Sequence, residues 1–113
     1  MISHVVLFRP KPDLSNADRD GLVAAFERAV REIPAVRAVR TGRRVVHGAG
    51  YEQQAPDIVD FLIVLDFDDL AGLQTYLQHP AHAELGDRFN QACSSGLIYD
   101  FDLVSGVRSF FEA

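Results

Sequence analysis

Residues 76–82 place a tyrosine and two histidines around a single proline, in the pattern Y-x-x-H-P-x-H. An imidazole titrates at about 6.5, so the side chain of His82 can accept a proton near neutral pH. A phenol titrates at about 10, which suits Tyr76 better to donating a hydrogen bond to a carbonyl oxygen. The pair therefore predicts proton transfer on a carbonyl compound, with Tyr76 and His82 as the catalytic residues. A buried tyrosine beside a helix-capping histidine is the structural alternative.

The spacing of His79 and His82 is also that of a possible metal pair, H-x-x-H. Zinc and iron sites use three or four protein ligands, and the only other histidines are His4 and His47, which no spacing brings to this segment. We therefore expect no metal site. We expect His79 either to border the substrate or to cap the helix that follows it.

A third candidate is His4, which alternates with Val6 and Phe8 along a short apolar run and therefore shares their face. That face either lines a cavity, where His4 would contact a substrate, or packs in the core. Cys93 is the single cysteine, so an internal disulfide is excluded. A buried helix residue is favoured over a nucleophile at this position.

Hydrophobic periodicity predicts the helices that carry these residues. Ser15 is a candidate N-cap for a first helix, whose apolar residues recur at helical spacing up to residue 33. Asp68 or Asp69 would cap a second helix, which must break at His79 because a proline disfavours helical geometry in the residue before it. Pro80 is then suited to open a third helix that ends near residues 94–96.

Short apolar runs predict four strands, over residues 3–9, 36–47, 58–67 and 97–104. The order β-α-β-β-α-β is that of a ferredoxin-like α+β domain, a two-layer sandwich in which helices cover one face of an antiparallel sheet. The first, third and fourth strands are apolar on both faces, so the face without helices would expose an apolar surface. Two such sheets packed about a two-fold axis would cover it, which predicts a homodimer through the exposed sheet face.

The space between the sheet and the helices is the expected binding site. Residues of the first helix, the third strand and the second helix would line it, with Tyr76 and His82 at its polar end. Such a cavity suits a small apolar ligand that carries a carbonyl group. The expected lining comprises Leu22, Val23, Phe26, Phe61, Ile63 and Leu77.

Composition argues against several other classes of protein. The net charge of −5 gives no electrostatic footprint for nucleic acid, and no apolar run approaches the roughly 20 residues of a membrane-spanning helix. The sequence contains no phosphate loop, no dinucleotide-binding fingerprint and no G-x-S-x-G, and we expect the protein to act without a cofactor. The amino terminus lacks a signal-peptide pattern and the single cysteine fits a reducing compartment, so we expect a cytoplasmic protein.

Three segments carry a family resemblance. They are I-S-H-V-V-L-F at residues 2–8, L-Q-T-Y-L-Q-H-P-A-H-A-E-L-G-D-R-F at residues 73–89 and L-I-Y-D-F at residues 97–101. Together they resemble the stress-responsive α/β-barrel domain (Dabb) family. The resemblance implies one domain over residues 1–113, and a dimeric α/β barrel made by two ferredoxin-like chains.

The resemblance also implies an activity. The family includes a plant polyketide cyclase that closes a linear polyketide thioester by intramolecular aldol condensation, and its tyrosine and histidine fall on Tyr76 and His82. Phe61 stands where that cyclase has a histidine on its third strand, so the pocket here would be less polar. Two other functions stay open. One is a non-catalytic stress-related or ligand-binding dimer, and the other is a monooxygenase-like protein in which His4 or His82 contacts haem or a quinol.

Overall fold

The computed structural model describes residues 1–112. The helices and strands, in chain order, are Ile2–Pro10 (β1), Asn16–Glu32 (α1), Ala38–Arg43 (β2), Phe61–Phe67 (β3), Leu70–Gln78 (α2), Pro80–Ala92 (α3) and Cys93–Asp102 (β4). Two short 3₁₀ segments, Gly50–Gln53 and Val107–Phe111, lie between β2 and β3 and after β4. The order matches the predicted layout, with the second helical region divided in two.

The four strands form one antiparallel sheet in the order β2-β3-β1-β4. β1 is central because it pairs with both β3 and β4. Directly opposed residues of an antiparallel sheet point to the same face, so His4, Leu65 and Asp100 share the face that the helices cover. The predicted ferredoxin-like α+β fold is confirmed.

The helices begin where the sequence predicts, and the first two also end there, whereas α3 ends at Ala92 and not at the predicted residues 94–96. The Ser15 hydroxyl accepts a hydrogen bond from the backbone N–H of Asp18, and the Asp69 carboxylate accepts one from the backbone N–H of Gly72. α2 ends before His79, whose ψ of 142° is extended, and Pro80 is the first residue of α3. None of the helices in residues 1–112 is both long and apolar enough to cross a membrane.

The core lies between the sheet and the helical layer. α1 packs closely on α3, and its buried residues Ala25 and Ala29 are small, while large side chains of β3 and α2 fill the centre. Buried residues of the core cluster are Ala25, Ala29, Ile33, Leu65, Phe67, Leu73, Tyr76, Ala81 and Leu85.

Two strands are shorter than the sequence predicts. β2 ends at Arg43 instead of residue 47, and β3 begins at Phe61 instead of residue 58. β2 is an edge strand that pairs only with β3, so it ends opposite the first residue of β3. Asp60, just before β3, still makes backbone hydrogen bonds with Phe8 and Arg44, and Arg9 also donates hydrogen bonds to the carboxylates of Asp57 and Asp60.

β4 begins at Cys93, not at the predicted residue 97. Its first residues include Ser95 and Gly96, which have weak strand propensity, yet they pair with the second half of β1. This pairing satisfies backbone groups of β1 that would otherwise lack partners. The prediction that Cys93 is a buried helix residue was therefore wrong, because it is the first residue of a strand and is half-buried.

The sheet face opposite the helices is uncovered in the single chain. Tyr99 and Phe101 of β4 are each 52% exposed on this face, beside Val5 and Leu7 of β1. The two-layer arrangement is 17 Å thick in its shortest dimension. One face of the sheet is therefore uncovered in the single chain, and it is largely apolar.

Candidate active site

An apolar cavity of about 730 Å³ opens between the sheet and the helices α1 and α3. Binding sites for small organic molecules usually measure about 300–1,000 Å³, so the volume suits such a ligand. β1, β3 and β4 form the floor of the cavity, and α1 and α3 form its walls. Its borders include several side chains that can transfer or share protons, among them His4, Tyr76 and His82.

Tyr76 lies near the end of α2 and is only 2% exposed. Its ring contacts Phe67, His4 and His82, with centroid distances of 5.3, 5.8 and 4.8 Å respectively. Within residues 1–112 no hydrogen bond to the Tyr76 hydroxyl is present. Because no fully buried side-chain polar atom in these residues lacks a partner, the hydroxyl oxygen is partly accessible. The hydroxyl therefore opens onto the cavity, where a ligand can accept its hydrogen bond.

The break at His79 and Pro80 brings Tyr76 and His82 together. On one continuous helix, residues six positions apart point in different directions, because a turn takes about 3.6 residues. The extended backbone of His79 redirects the chain, so that the start of α3 turns back toward the end of α2. The two rings then meet edge to face, with 61° between their planes.

Burial determines the acid–base properties of the pair. It raises the pKa of Tyr76 to about 12, so the phenol keeps its proton at physiological pH. Burial also lowers the pKa of His82, and the charge that His4 can carry lowers it further, whereas a hydrogen bond with the Leu77 backbone acts in the opposite direction. At neutral pH the site therefore holds a neutral imidazole beside a protonated phenol.

His4 is paired with a carboxylate that the sequence analysis missed. Its Nδ1 lies 2.6 Å from an oxygen of Asp100, and the histidine is 5% exposed. In the neutral ring, a carboxylate at Nδ1 holds the proton on that nitrogen and leaves Nε2 as the acceptor. Alternation along β4 puts Asp100 and Ile98 on one face, but only the register of β1 and β4 shows that Asp100 stands opposite His4.

Most of the predicted binding residues border this cavity. His4, Leu22, Val23, Phe26 and Ile63 all do so, together with Tyr76 and His82. The contribution of α3 to the lining was not predicted, although its apolar residues recur at helical spacing from His82 onward. Further lining residues include Val6, Phe8, Leu85, Gly86, Phe89 and Asn90.

Two predicted lining residues lie elsewhere. Phe61 packs on Phe8, at a centroid distance of 5.5 Å, and borders a separate groove of about 280 Å³. Phe8 stands between it and the cavity, so the position does not decide how polar the cavity is. Leu77 is 40% exposed, because it follows the buried Tyr76 and is rotated about 100° away from it around the helix.

His79 is also outside the lining. Its Nδ1 accepts a hydrogen bond of 3.0 Å from the backbone N–H of Ala81, so it caps α3 as the alternative prediction had it. Its ring is therefore occupied at the helix terminus and does not face the cavity. Across residues 1–112, no three His, Cys, Asp or Glu side chains are grouped closely enough to hold a metal ion.

Comparison with known proteins identifies relatives over almost the whole length. Residues 2–103 match the stress-responsive A/B barrel domain family. The olivetolic acid cyclase of Cannabis sativa is 22% identical over 100 residues, which cover 88% of this chain and 94% of that protein.

Solved structures share the fold at low sequence identity. The hydroxynitrile lyase from Passiflora edulis superposes with a TM-score of 0.77 at 17% identity, covering 94% of this chain and 95% of that one. A dimeric ferredoxin-like protein from Thermobifida fusca gives a TM-score of 0.68 at 22% identity, with 90% of each chain covered. Because the family match spans nearly all of the sequence, the chain belongs to the stress-responsive A/B barrel domain family.

Proposed function

We propose that this protein is a cofactor-independent enzyme that moves a proton on an apolar carbonyl compound and so makes or breaks a carbon–carbon bond. The observation that carries this proposal is that a phenol donor and a neutral imidazole border one apolar cavity, with 4.8 Å between their ring centroids. A cyclase and a lyase among the relatives fit the same general class of reaction. We propose the cyclase-like direction as the first to test.

In the proposed reaction, His82 accepts a proton from the carbon next to a carbonyl group, and the electron pair of the C–H bond moves into an enolate. Tyr76 donates a hydrogen bond to the enolate oxygen, where negative charge develops. The enolate carbon attacks a second carbonyl of the same chain, and a new carbon–carbon bond forms. Protonated His82 then returns the proton to the alkoxide, so the proton balance closes without a cofactor.

The His4–Asp100 pair has a positioning role in this proposal. With its Nδ1 proton held by Asp100, His4 presents Nε2 as an acceptor beside Tyr76. Nε2 can hold a substrate hydroxyl or a water in place. Asp100→Asn would then weaken the preference for this tautomer and misplace the acceptor, with less effect on turnover than the loss of His82.

The direct test is turnover of a 3,5,7-trioxoalkanoyl thioester of N-acetylcysteamine, in which attack of C2 on the C7 carbonyl closes a six-membered ring, followed by mass spectrometry of the cyclised product. His82→Ala should lower the rate by about 10²–10⁴-fold, the usual contribution of a general base. Tyr76→Phe keeps the ring and its packing and should cost about 10²-fold, the contribution of one donor to an oxyanion.

The chain offers a matched control pair. His47 and Tyr51 also contact each other, through a 3.1 Å hydrogen bond, but Tyr51 is 68% exposed and neither borders the cavity. His47→Ala and Tyr51→Phe should leave the rate unchanged. If the thioester binds but neither the native protein nor any variant converts it, the non-catalytic ligand-binding dimer is the better account.

We also propose that two chains pair through the uncovered sheet face. Exposed Tyr99 and Phe101, with Val5 and Leu7 beside them, give this face the apolar character of an interface. Similar ferredoxin-like structures from Thermobifida fusca and Bacteroides fragilis are dimeric. The cavity lies on the other face of the sheet, so such a dimer would keep two separate cavities.

A further inference from the structure

Gly96 of β4 lies directly beneath the ring of Phe89. A Cβ atom on Gly96 would be 2.8 Å from Cε1 and 2.9 Å from Cζ of Phe89, well inside the optimal carbon–carbon separation of about 3.5–4.0 Å. Gly96 stands opposite Phe8 in the sheet, and the Phe89 ring meets Phe8 edge-on at a centroid distance of 5.4 Å. The absence of a side chain at residue 96 therefore allows Phe89 to lie this close to the sheet.

Phe89 and His82 lie at opposite ends of one row of α3 residues along the cavity. The helical rise of about 1.5 Å per residue separates these two positions by about 10 Å along the axis. Leu85 lies between them on the same wall. Beyond Phe89 the lining becomes more polar, with Asn90, Ser94 and Ser95.

We propose that Phe89, seated on Gly96, sets the length of chain that the cavity accepts, and that the substrate is a straight-chain carbonyl compound of medium length. This inference rests on the proposed function for the position of the reacting carbonyl beside Tyr76 and His82. From there the chain runs along Leu85 until it meets the Phe89 ring. The polar lining beyond gives further methylene groups little apolar surface to bury against.

The test measures binding rather than turnover, by calorimetric titration with straight-chain methyl ketones of increasing length. Burial of one methylene is worth about 0.8 kcal/mol, so each added carbon should raise the affinity about fourfold while the cavity can bury it. The length at which the affinity stops rising is the chain-length limit. Phe89→Ala should move this limit to longer chains, and Gly96→Ala, which displaces the ring into the cavity, should move it to shorter ones.

Two matched controls should keep the native limit. Phe110→Ala removes an exposed ring outside the cavity, and Gly42→Ala adds a Cβ that meets nothing within 4 Å. If Gly96→Ala alone does not fold, the double variant Gly96→Ala/Phe89→Leu removes the clashing ring. Its limit should then be at least as long as the native one.

An unchanged limit in Phe89→Ala would overturn the inference, as would a lack of binding by every ketone in the series. Its failure is distinguishable from failure of the proposed function. If the limit moves as expected while Tyr76→Phe leaves thioester turnover unaltered, the length-setting role stands and the catalytic role fails. If Tyr76→Phe abolishes turnover while the limit stays fixed in Phe89→Ala, only the length-setting role fails.

Discussion

The rings of Tyr76 and His82 meet edge to face, 4.8 Å between centroids, across a break that separates two helices. One burial effect acts on both groups in a useful direction. Removal from water disfavours the charged form of each, so both the phenol and the imidazole stay neutral. The same packing thus supplies a neutral donor and a neutral base side by side.

The dependence of the rate on pH should reflect this burial. Because the pKa of His82 is lowered from 6.5, the value of kcat/KM should rise with pH and reach its plateau with an inflection below pH 6.5. Tyr76, with a pKa of about 12, should cause no loss of rate in the neutral range. When His4 is protonated, its charge contributes to the lowering, so His4→Gln, which cannot become charged, should move the inflection to higher pH.

The measurement is a profile of kcat/KM against pH for the native protein and His4→Gln, with His47→Gln as the control for loss of a histidine. The control should keep the native inflection, because His47 lies outside the cavity. An inflection that stays in place in His4→Gln would contradict a contribution of the His4 charge to the pKa of His82.

His82 should also make the folded state less stable in mild acid. Its pKa is lower when folded, so below about pH 6.5 the unfolded chain binds more protons than the native one, and the free energy of unfolding falls as pH falls through that window. Above pH 6.5 both states carry a neutral ring and the effect vanishes. His82→Gln, which cannot be protonated, should remove this part of the acid dependence.

Urea unfolding at a series of pH values between about 5 and 8 measures the free energy of unfolding on both sides of pH 6.5. The difference in unfolding free energy between His82→Gln and the native protein should grow in favour of the variant as pH falls. His47→Gln serves as the exposed control. Parallel curves for His82→Gln and native protein would contradict the lowered pKa.

Cys93 should react slowly with a thiol reagent in the native protein. Burial raises the pKa of its thiol, although the charge of Lys11 acts in the opposite direction, so little thiolate is present near neutral pH. The thiol also borders the cavity, so a bound methyl ketone should slow the reaction further. Labelling with Ellman's reagent is measured for the native protein, with a bound methyl ketone and in denaturant. Native labelling at the denatured rate would contradict the slow reaction of this thiol.

Local signals made much of this structure predictable. Ser15 and Asp69 cap their helices as expected, because a side-chain oxygen that binds free backbone N–H groups is a local interaction. The break before Pro80 is equally local, since it follows from the steric effect of proline on the preceding residue. These short-range rules therefore placed Tyr76 and His82 at the ends of adjoining helices.

Several of the features that were missed depend on strand register. Nothing in the sequence near Asp100 indicates His4 as its partner, since the two residues are 96 positions apart and meet only across paired strands. The early start of β4 has the same cause, because Ser95 and Gly96 form a strand only when β1 is available to pair with. Long-range pairing also explains why Gly96 lies beneath Phe89.

Phe101 is the position at which the proposed dimer is most directly tested. Phe101 is 52% exposed on the uncovered sheet face, and Tyr99 lies beside it. Phe101→Glu would place a charge on the proposed apolar interface without disturbing the helix-covered core. We expect the dimer to weaken by at least about 2 kcal/mol, the loss typical of an interface hot spot, which is about thirtyfold in the dissociation constant. Sedimentation equilibrium of native and variant protein measures this difference.

Ala24→Glu is the control, because Ala24 is exposed on α1, away from the uncovered sheet face. It adds the same charge where no partner is expected, so its dissociation constant should equal that of the native protein. A stable native monomer at micromolar concentration would contradict the dimer itself. A native dimer that Phe101→Glu leaves intact would instead show that the chains pair through another surface, and exposed Phe110 and Phe111 would then be the next positions to change.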